Sequence, residues 1–251
     1  MNKAIEERGF QPRFYRDWMK TKGLHSGRVA VCETDLQIIT DMLFDYDDCR
    51  AAVESFRSDI IAYIKKDNRF LTSLEPVKVS SSAAPLVKRM ASAGRRAGVG
   101  PMASVAGAIA EAVGRRLLNK GCREAVVENG GDVFLAGKAA KRVGIFAGKD
   151  LPCWRELAIN VAPRDMPLGI CTSSGAFGHS FSFGRADSVV ILSPDAALAD
   201  AAATAVCNRV SSAADMREAI SFGRSIRGVS GIIIIVGNKL ASWGKVEFIS
   251  R

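Results

Sequence analysis

Residues 188–206, SVVILSPDAALADAAATAV, join a short apolar run to a segment rich in alanine. Ser188–Leu192 is a short, continuous apolar run, which predicts a buried β-strand. Ser193 and Pro194 follow as an N-cap and a first-turn proline, so a helix is expected over 195–210. That helix is rich in alanine, and small side chains let a helix pack close to its neighbour. A buried strand leading straight into such a helix predicts a domain that mixes both kinds of element.

The remaining sequence extends this pattern in both directions. Helical spacing of apolar residues predicts amphipathic helices, and short β-branched runs bounded by turn residues predict strands. We therefore predict one α+β domain over residues 1–251, with a mostly antiparallel or mixed sheet and packed helices. Helices are expected at 48–66, 85–96, 101–121 and 213–224. Strands are expected within 28–40, at 125–128, 133–136, 142–147, 157–162 and 168–172, and in a final hairpin of 231–236 with 240–249.

Composition limits the function classes. Hydrophobic residues at 48% and charged residues at 24% are typical of a globular domain. The six cysteines, at 32, 49, 122, 153, 171 and 207, contain no CxxC pair, so we expect buried, reduced thiols rather than a zinc or redox site. The net charge of +9 attracts polyanions, but the basic stretch from Lys88 to Arg96 contains no aromatic residue. A solvated helix face or steering of an anionic ligand therefore fits better than nucleic-acid binding.

The sequence contains no pattern typical of a membrane segment. Met1–Lys20 carries charges throughout, and the longest apolar run, Ile232–Val236, is far shorter than a bilayer span. We expect a cytoplasmic protein without a membrane partner.

A glycine turn precedes the helix expected from Pro101. Gly98-x-Gly100-x-x-Ala103 matches the dinucleotide fingerprint in form, but the residues before it look helical, whereas that fingerprint needs a preceding strand. Two interpretations stay open. One is a plain interhelical turn, and the other is a set of free N–H groups at a helix start that bind phosphate through Gly100 and its neighbours.

Asp200 and Thr204 are four residues apart on the alanine-rich helix, so their oxygens lie on one face. A carboxylate and a hydroxyl are ligands suited to Mg²⁺, with substrate phosphates completing the shell. The alternative is a surface carboxylate beside a packed threonine.

Two loops add polar candidates. His179, in the Ser/Gly-rich loop 172–185, is either a proton carrier or a structural loop histidine. A Ser-His nucleophile pair is disfavoured because the GxSxG elbow is absent. The turn Asn129-Gly130-Gly131-Asp132 fits either a hairpin or a close approach to ligand.

Taken in order, these motifs resemble the ApbE family, the FAD:protein FMN transferases, over residues 95–210. The resemblance rests on GPMASVAGAIAEAVGRRLLNKG, EAVVENGGDVF, TSSGAFGHS and SVVILSPDAALADAAATAV. It implies Mg²⁺-dependent use of FAD, with Asp200, Thr204 and the Ala103 carbonyl on the metal and His179 assisting proton transfer or binding the departing group. It also implies a flavin nucleotide pocket, whose residues would be Gly100, Met102, Ala103, Asn129, Gly130, Gly131, Asp132, Thr172, Ser173, Ser174 and Gly175.

The same resemblance implies that FMN is transferred to a serine or threonine of an acceptor protein, or that FMN and AMP are released. The family's DPxTG sequence does not follow His179, and Ser104-Val105 stand where the family has lysine-glycine. The alternative is therefore a non-catalytic flavin- or nucleotide-binding module that acts through a protein partner. A homo-oligomer is left open.

Overall fold

A computed structural model describes most of the chain. The described residues are Arg13, Tyr15, Arg16, Met19, Thr21, 23–148, Trp154, 156–175 and 184–250. The helices are α1 (Tyr46–Lys66), α2 (Arg69–Thr72), α3 (Pro85–Ala97), α4 (Val105–Asn119), α5 (Ala196–Cys207) and α6 (Met216–Ser225). The strands are β1 (His25–Val31), β2 (Thr34–Thr40), β3 (Ala125–Asn129), β4 (Asp132–Ala136), β5 (Lys141–Gly144), β6 (Leu157–Val161), β7 (Leu168–Ser173), β8 (Ser188–Ser193), β9 (Gly231–Val236), β10 (Lys239–Gly244) and β11 (Glu247–Ser250).

Two antiparallel sheets form the β part of the described chain. The large sheet has the strand order β1-β2-β3-β4-β7-β8-β9-β10, and the small sheet has the order β11-β6-β5. Every neighbouring pair is antiparallel, which confirms the predicted α+β domain with an antiparallel sheet.

The large sheet is covered on both faces. Because side chains alternate along a strand, each strand supplies residues to two cores. One core lies between the large sheet and the helices and includes Phe134, Cys171 and Ile232. The other lies between the two sheets and includes Leu135, Ile170 and Ile233. We call these sides the helix face and the far face.

Helix α5 is the central helix of this arrangement. All twelve of its residues are buried, and it contacts α4, α3, β7 and β8. Glycines make room for it: a Cβ at Gly107 of α4 would overlap the Ala196 carbonyl, and a Cβ at Gly169 of β7 would overlap Ala196 itself. The alanine-rich sequence thus produces the close packing expected of it.

Several local expectations are wrong. Helix α5 begins at Ala196, because the Asp195 side chain, and not that of Ser193, accepts the Leu198 N–H and caps the helix. The helix ends at Cys207, three residues before the predicted end. The segment 101–104 is a 3₁₀ turn that precedes α4. The last hairpin breaks at Gly244, whose φ of +89° turns the chain so that β11 pairs with β6 in the other sheet. Cys32 is exposed, because it lies in the β1–β2 turn with a φ of +50°.

No single helix among the described residues is both long and apolar enough to cross a membrane. Helix α3 passes such a test only together with the segment Pro101–Asn119, and the two meet at a bend of 102°.

Candidate functional site

Helices α4 and α5 cap each other's first turn, and this contact places Asp200. Asp200 Oδ2 accepts the Gly107 N–H at 2.9 Å, near the start of α4. One turn further along α4, Glu111 Oε2 accepts the Ala196 N–H at 2.8 Å, at the start of α5. The earlier residue of α4 contacts the later residue of α5, and the later residue of α4 contacts the earlier residue of α5, so the two helices run antiparallel. Each carboxylate satisfies backbone donors that the partner helix leaves free.

Asp200 is almost fully buried, which overturns the alternative of a surface carboxylate. Burial is the largest influence on its ionisation and raises the pKa of Asp200 to about 7. The backbone N–H groups of Gly107 and Ala106 lower that pKa without restoring its ordinary value. The ionised carboxylate is therefore costly at neutral pH unless a cation joins it.

Asp132 brings a second buried carboxylate to the helix face. It begins β4, two residues before Phe134, and its Oδ1 accepts the Thr172 N–H of β7 at 3.1 Å. Burial raises the pKa of Asp132 well above its ordinary value, and the negative charge of Asp200 raises it further. The groups that lower it are the Thr172 N–H and the Cys171 thiol, not a cationic side chain.

The Asn129–Asp132 turn serves two purposes. It is a β-hairpin turn that pairs Asn129 with Asp132, and both central glycines have positive φ, +68° at Gly130 and +104° at Gly131. The hairpin interpretation is therefore correct. The Asn129 amide also donates to the Ala106 carbonyl at 3.2 Å, so the turn is tied to the start of α4 beside Asp200.

Thr204 lies one turn beyond Asp200 on α5 and is also buried. Among the described residues no hydrogen bond to its hydroxyl is present, although its backbone carbonyl accepts the Asn208 N–H. Asp200 and Thr204 thus share one buried helix face, as the spacing predicts.

The end of β7 adds a buried hydroxyl. Ser173 alternates with Cys171 and Gly169 on the helix face, and its buried Oγ has no hydrogen-bond partner among the residues that the structure describes. Ser174 follows it, and the Gly175 N–H donates to the Ala186 carbonyl at 3.0 Å. A buried hydroxyl without a partner is costly, and a ligand's polar group would satisfy it.

The glycine turn before α4 does not match the expected phosphate cradle at Gly100. The Gly100 N–H donates to the Leu74 carbonyl at 2.8 Å, and a Cβ at this position would overlap the Ser73 carbonyl. Gly100 is therefore needed for close packing, and its amide is not free. Met102 and Ala103 are half-buried in the 3₁₀ turn, and the Ala103 N–H donates to the Gly100 carbonyl.

Glu128 anchors the Asn129–Asp132 turn from the far face. Its Oε1 accepts both the Gly131 N–H and the Tyr15 hydroxyl at 2.8 Å, and its Oε2 lies 2.6 Å from Arg16 Nη2. Arg16 also pairs with buried Asp35 at 3.0 Å. Burial and the Glu128 charge together raise the pKa of Tyr15. These contacts hold the described N-terminal residues against the sheet beside the turn.

Comparison with known proteins decides the family. A family model described as "AbpE bacteria" matches residues 16–241. The chain belongs to this ApbE-like family. It is 37% identical to a UPF0280 protein of Methanocella arvoryzae over 226 residues, which cover 90% of this chain and 91% of the relative. It is 38% identical to a UPF0280 protein of Methanospirillum hungatei over 219 residues, which cover 87% of each.

Solved structures of ApbE proteins share the fold. The flavinyl transferase ApbE of Pseudomonas stutzeri has a TM-score of 0.54 and 11% identity, covering 88% of this chain and 94% of that one. The flavin transferase ApbE of Vibrio cholerae has a TM-score of 0.53 and 13% identity, covering 88% and 97%. The ApbE protein of Thermotoga maritima has a TM-score of 0.57 and 14% identity, covering 87% and 96%.

In this ApbE-like chain the structure brings some of the predicted residues to one side of the large sheet. Asp132, Ser173, Asp200 and Thr204 share the helix face, and Asn129 and Thr172 hold their surroundings. His179 lies outside the described residues. Sequence reasoning missed Gly107, Cys171 and Glu128. A glycine inside a helical pattern, such as Gly107, signals close packing and is the one hint that was available.

Proposed function

We propose that this protein is a Mg²⁺-dependent, FAD-binding enzyme of the FMN-transferase type. It would cleave or transfer across the FAD pyrophosphate, either attaching FMN to a serine or threonine of an acceptor protein or releasing FMN and AMP. The observation that carries the proposal is the buried carboxylate pair Asp132 and Asp200, whose pKa values are both raised. Titratable groups perturbed in this way cluster at functional sites.

The donor set suits magnesium better than zinc or iron. Among the described residues no group of three or more His, Cys, Asp and Glu is arranged to hold a metal ion. Mg²⁺ needs fewer protein ligands, since one or two carboxylates with waters and substrate phosphates complete its octahedron. Asp200 and Thr204 would hold it, with Asp132 close enough for electrostatic interaction. When bound, the ion supplies positive charge to the pyrophosphate and eases the departure of AMP.

The chain's own groups have distinct tasks in such a reaction. The Gly107 N–H orients the Asp200 carboxylate, and the Thr172 N–H orients that of Asp132. The Ser173 hydroxyl, which has no hydrogen-bond partner within the described part of the chain, would be available to the bound nucleotide. In transfer, the acceptor hydroxyl oxygen bonds to the phosphorus of the FMN half, the bond to AMP breaks, and the hydroxyl proton passes to a base. His179 is the predicted residue for that proton.

The family supports this proposal at two levels. Solved structures named flavin or flavinyl transferases share the fold over nearly the whole chain. The resemblance implies that Asp200 and Thr204 are the metal ligands, and the burial of both side chains on α5 supports this assignment.

Incubation with FAD and Mg²⁺, followed by chromatography for AMP and FMN, tests the proposal. We expect release of AMP, with or without transfer of FMN to protein, and loss of turnover on chelation. Asp200→Ala should abolish turnover, whereas Asp47→Ala, an exposed aspartate on α1, should leave it unchanged. Unchanged turnover in Asp200→Ala would refute the metal assignment. Binding of FAD without cleavage by the wild type would favour the non-catalytic module.

A further inference from the structure

A groove separates α6 from the edge strand β10. Its volume is about 570 Å³, and its lining consists of three alanines, Met216, Ile220 and Leu240, together with the cations Arg217 and Lys239. The volume lies within the range of ligand-binding clefts, which runs from about 300 to 1,000 Å³. We call this feature the α6–β10 groove.

The charge of the groove has one sign. Arg217 and Lys239 are both exposed, and none of the described residues that line the groove is acidic. Within the part of the chain that the structure describes, neither cation has an ion-pair partner. Further along the same helix and strand, Arg224 lies 5.5 Å from the centre of the Trp243 ring. The groove therefore offers an apolar floor with cations beside it, which complements a segment that alternates acidic and apolar side chains.

The backbone of β10 is open along this groove. Val236 and Lys239 flank the two-residue loop Gly237-Asn238 and pair with each other. The two residues that flank a two-residue loop form a hydrogen-bonded pair. Along an antiparallel ladder, hydrogen-bonded pairs alternate with pairs whose N–H and C=O groups point away from the partner strand. Leu240 and Ser242 therefore point their N–H and C=O groups away from β9. Among the described residues no further strand pairs with them.

The groove opens at the same end of the sheet as the carboxylate pair. In the strand registers Ser173 pairs with Val189, Ser188 with Ile235, and Val236 with Lys239. The last residues of β7 and the first residues of β10 therefore lie at the same end of the strands. A strand added outside β10 lies four strand spacings from β7, or about 19 Å. About six extended residues span that distance.

We propose that the α6–β10 groove docks an extended, acidic segment of the acceptor protein, which adds to β10 as a further strand. This inference rests on the proposed function, because it names the partner of the same site. Main-chain hydrogen bonds to Leu240 and Ser242 give such docking its affinity, and the cations Arg217 and Lys239 give it charge selectivity. The chain that continues from the docked strand brings the accepting hydroxyl to the carboxylate pair.

Fluorescence anisotropy with two labelled peptides tests the surface without any flavin. The probe is a twelve-residue peptide of alternating aspartate and valine, and its counterpart alternates lysine and valine. We expect the acidic peptide to bind at low salt and the basic peptide not to bind. Arg217→Glu/Lys239→Glu should weaken binding about tenfold, because it reverses the charge of both cations that line the groove. The control variant Lys65→Glu/Lys66→Glu, at the exposed end of α1, should bind the acidic peptide as the wild type does.

A second pair of variants tests the strand addition. Ser242→Pro removes one outward N–H and is tolerated on an edge strand, so binding should fall, whereas Ser242→Ala should bind normally. Equal binding of both peptides, absence of binding, or indifference to both pairs of variants would overturn the proposal. Self-association of the protein that Ser242→Pro abolishes would assign the edge to a second copy instead, and would also overturn it.

The peptide assay and the flavin assay fail independently. Arg217→Glu/Lys239→Glu should still release AMP from FAD at the wild-type rate, since neither residue belongs to the carboxylate site. Peptide binding without FAD cleavage would leave the surface standing and remove the flavin proposal. FAD cleavage without peptide binding would do the reverse.

Discussion

Asp200 is the residue on which the proposed chemistry depends most, through its carboxylate group. Its pKa of about 7 lies above the ordinary value of 3.8, so the folded protein favours the protonated form. The stability that this group contributes is full below pH 4 and is lost as the pH rises through about 7. A divalent cation binds the ionised form and reverses that loss, which links metal affinity to pH.

Thermal unfolding at pH 6 and pH 8, with and without Mg²⁺, measures this linkage. We expect Mg²⁺ to raise the Tm more at pH 8, because Asp200 is then ionised. When the Mg²⁺ concentration is a hundred times Kd, binding raises the free energy of unfolding by about 2.7 kcal/mol. For a chain of this size that increase raises the Tm by roughly 5–10 °C.

Asp200→Asn is the informative variant in that experiment. Its amide oxygen can still accept the Gly107 N–H, but it carries no charge. We expect the metal-free variant to be at least as stable as the wild type at pH 8 and to lose the Mg²⁺ response, whereas Asp47→Asn should keep it. The same response at both pH values, or its survival in Asp200→Asn, would contradict the assignment.

The sequence predicted part of this site. Asp200 and Thr204 follow from helical spacing alone, because four residues make one turn. The meeting of Asp200 with Asp132 does not, since the two belong to a helix and a strand far apart along the chain. Their proximity depends on how α5 packs across β7 and β4, which no local pattern encodes.

At the scale of elements, the crossing of α4 and α5 determines where the site residues lie. A Cβ at Gly107 would overlap the Ala196 carbonyl and lie 2.9 Å from the Asp200 Cβ. Both neighbours are close to the backbone and cannot swing aside, so an added methyl group would force the helices apart.

Gly107→Ala should therefore destabilise the protein by about 1–3 kcal/mol and weaken Mg²⁺ binding. Denaturant unfolding and the Mg²⁺-dependent change in Tm measure the two effects. Gly223→Ala, in α6, is the matched control: its Cβ would lie 2.6 Å from the Ile232 Cδ1 and 3.0 Å from the Val206 Cγ2, which are side-chain ends and not backbone atoms. The free energy of unfolding of that variant should be close to the wild-type value, because the higher helix propensity of alanine offsets the small shift of the neighbouring side chains. Equal effects of the two substitutions would argue against a tight α4–α5 crossing.

Element type was easier to predict than element boundaries. The hydrophobic pattern identified β8 and α5 correctly, but both Ser193 and Asp195 are good caps, and only the observed Leu198 contact shows that Asp195 is used. The last strand was predicted as one run to 249. A single residue, Gly244, redirects the chain into the second sheet, and such a break has no signal in hydrophobic periodicity.

For the whole molecule, the far face of the sheet ties the N-terminal residues to the site. Glu128 joins Tyr15 and Arg16 to the Gly131 N–H, and Arg16 continues the contact to Asp35. Breaking a buried ion pair leaves an uncompensated charge, so this connection should matter for stability. Its N-terminal partners, Tyr15, Arg16 and Asp35, lie outside the stretch 95–210 that carries the family resemblance, and sequence reasoning did not find the connection.

A double-mutant cycle of Glu128→Gln and Arg16→Met measures this connection. We expect a coupling energy of about 1–3 kcal/mol from denaturant unfolding, because both side chains are largely buried. The exposed pair Arg50 and Glu54 on α1 is the control, for which at most about 0.5 kcal/mol is expected. A coupling at Arg16 and Glu128 no larger than the control would mean that the N-terminal residues are not held by this contact.

We claim that Asp200 and Thr204 bind a divalent ion beside the pyrophosphate of FAD. Anomalous scattering from crystals grown with FAD and with Mn²⁺ in place of Mg²⁺ would locate that ion. We expect one strong peak within about 2.2 Å of oxygens of Asp200 and Thr204, with the pyrophosphate completing the coordination. Bound FAD with the manganese peak elsewhere, or with no peak, would contradict the claim.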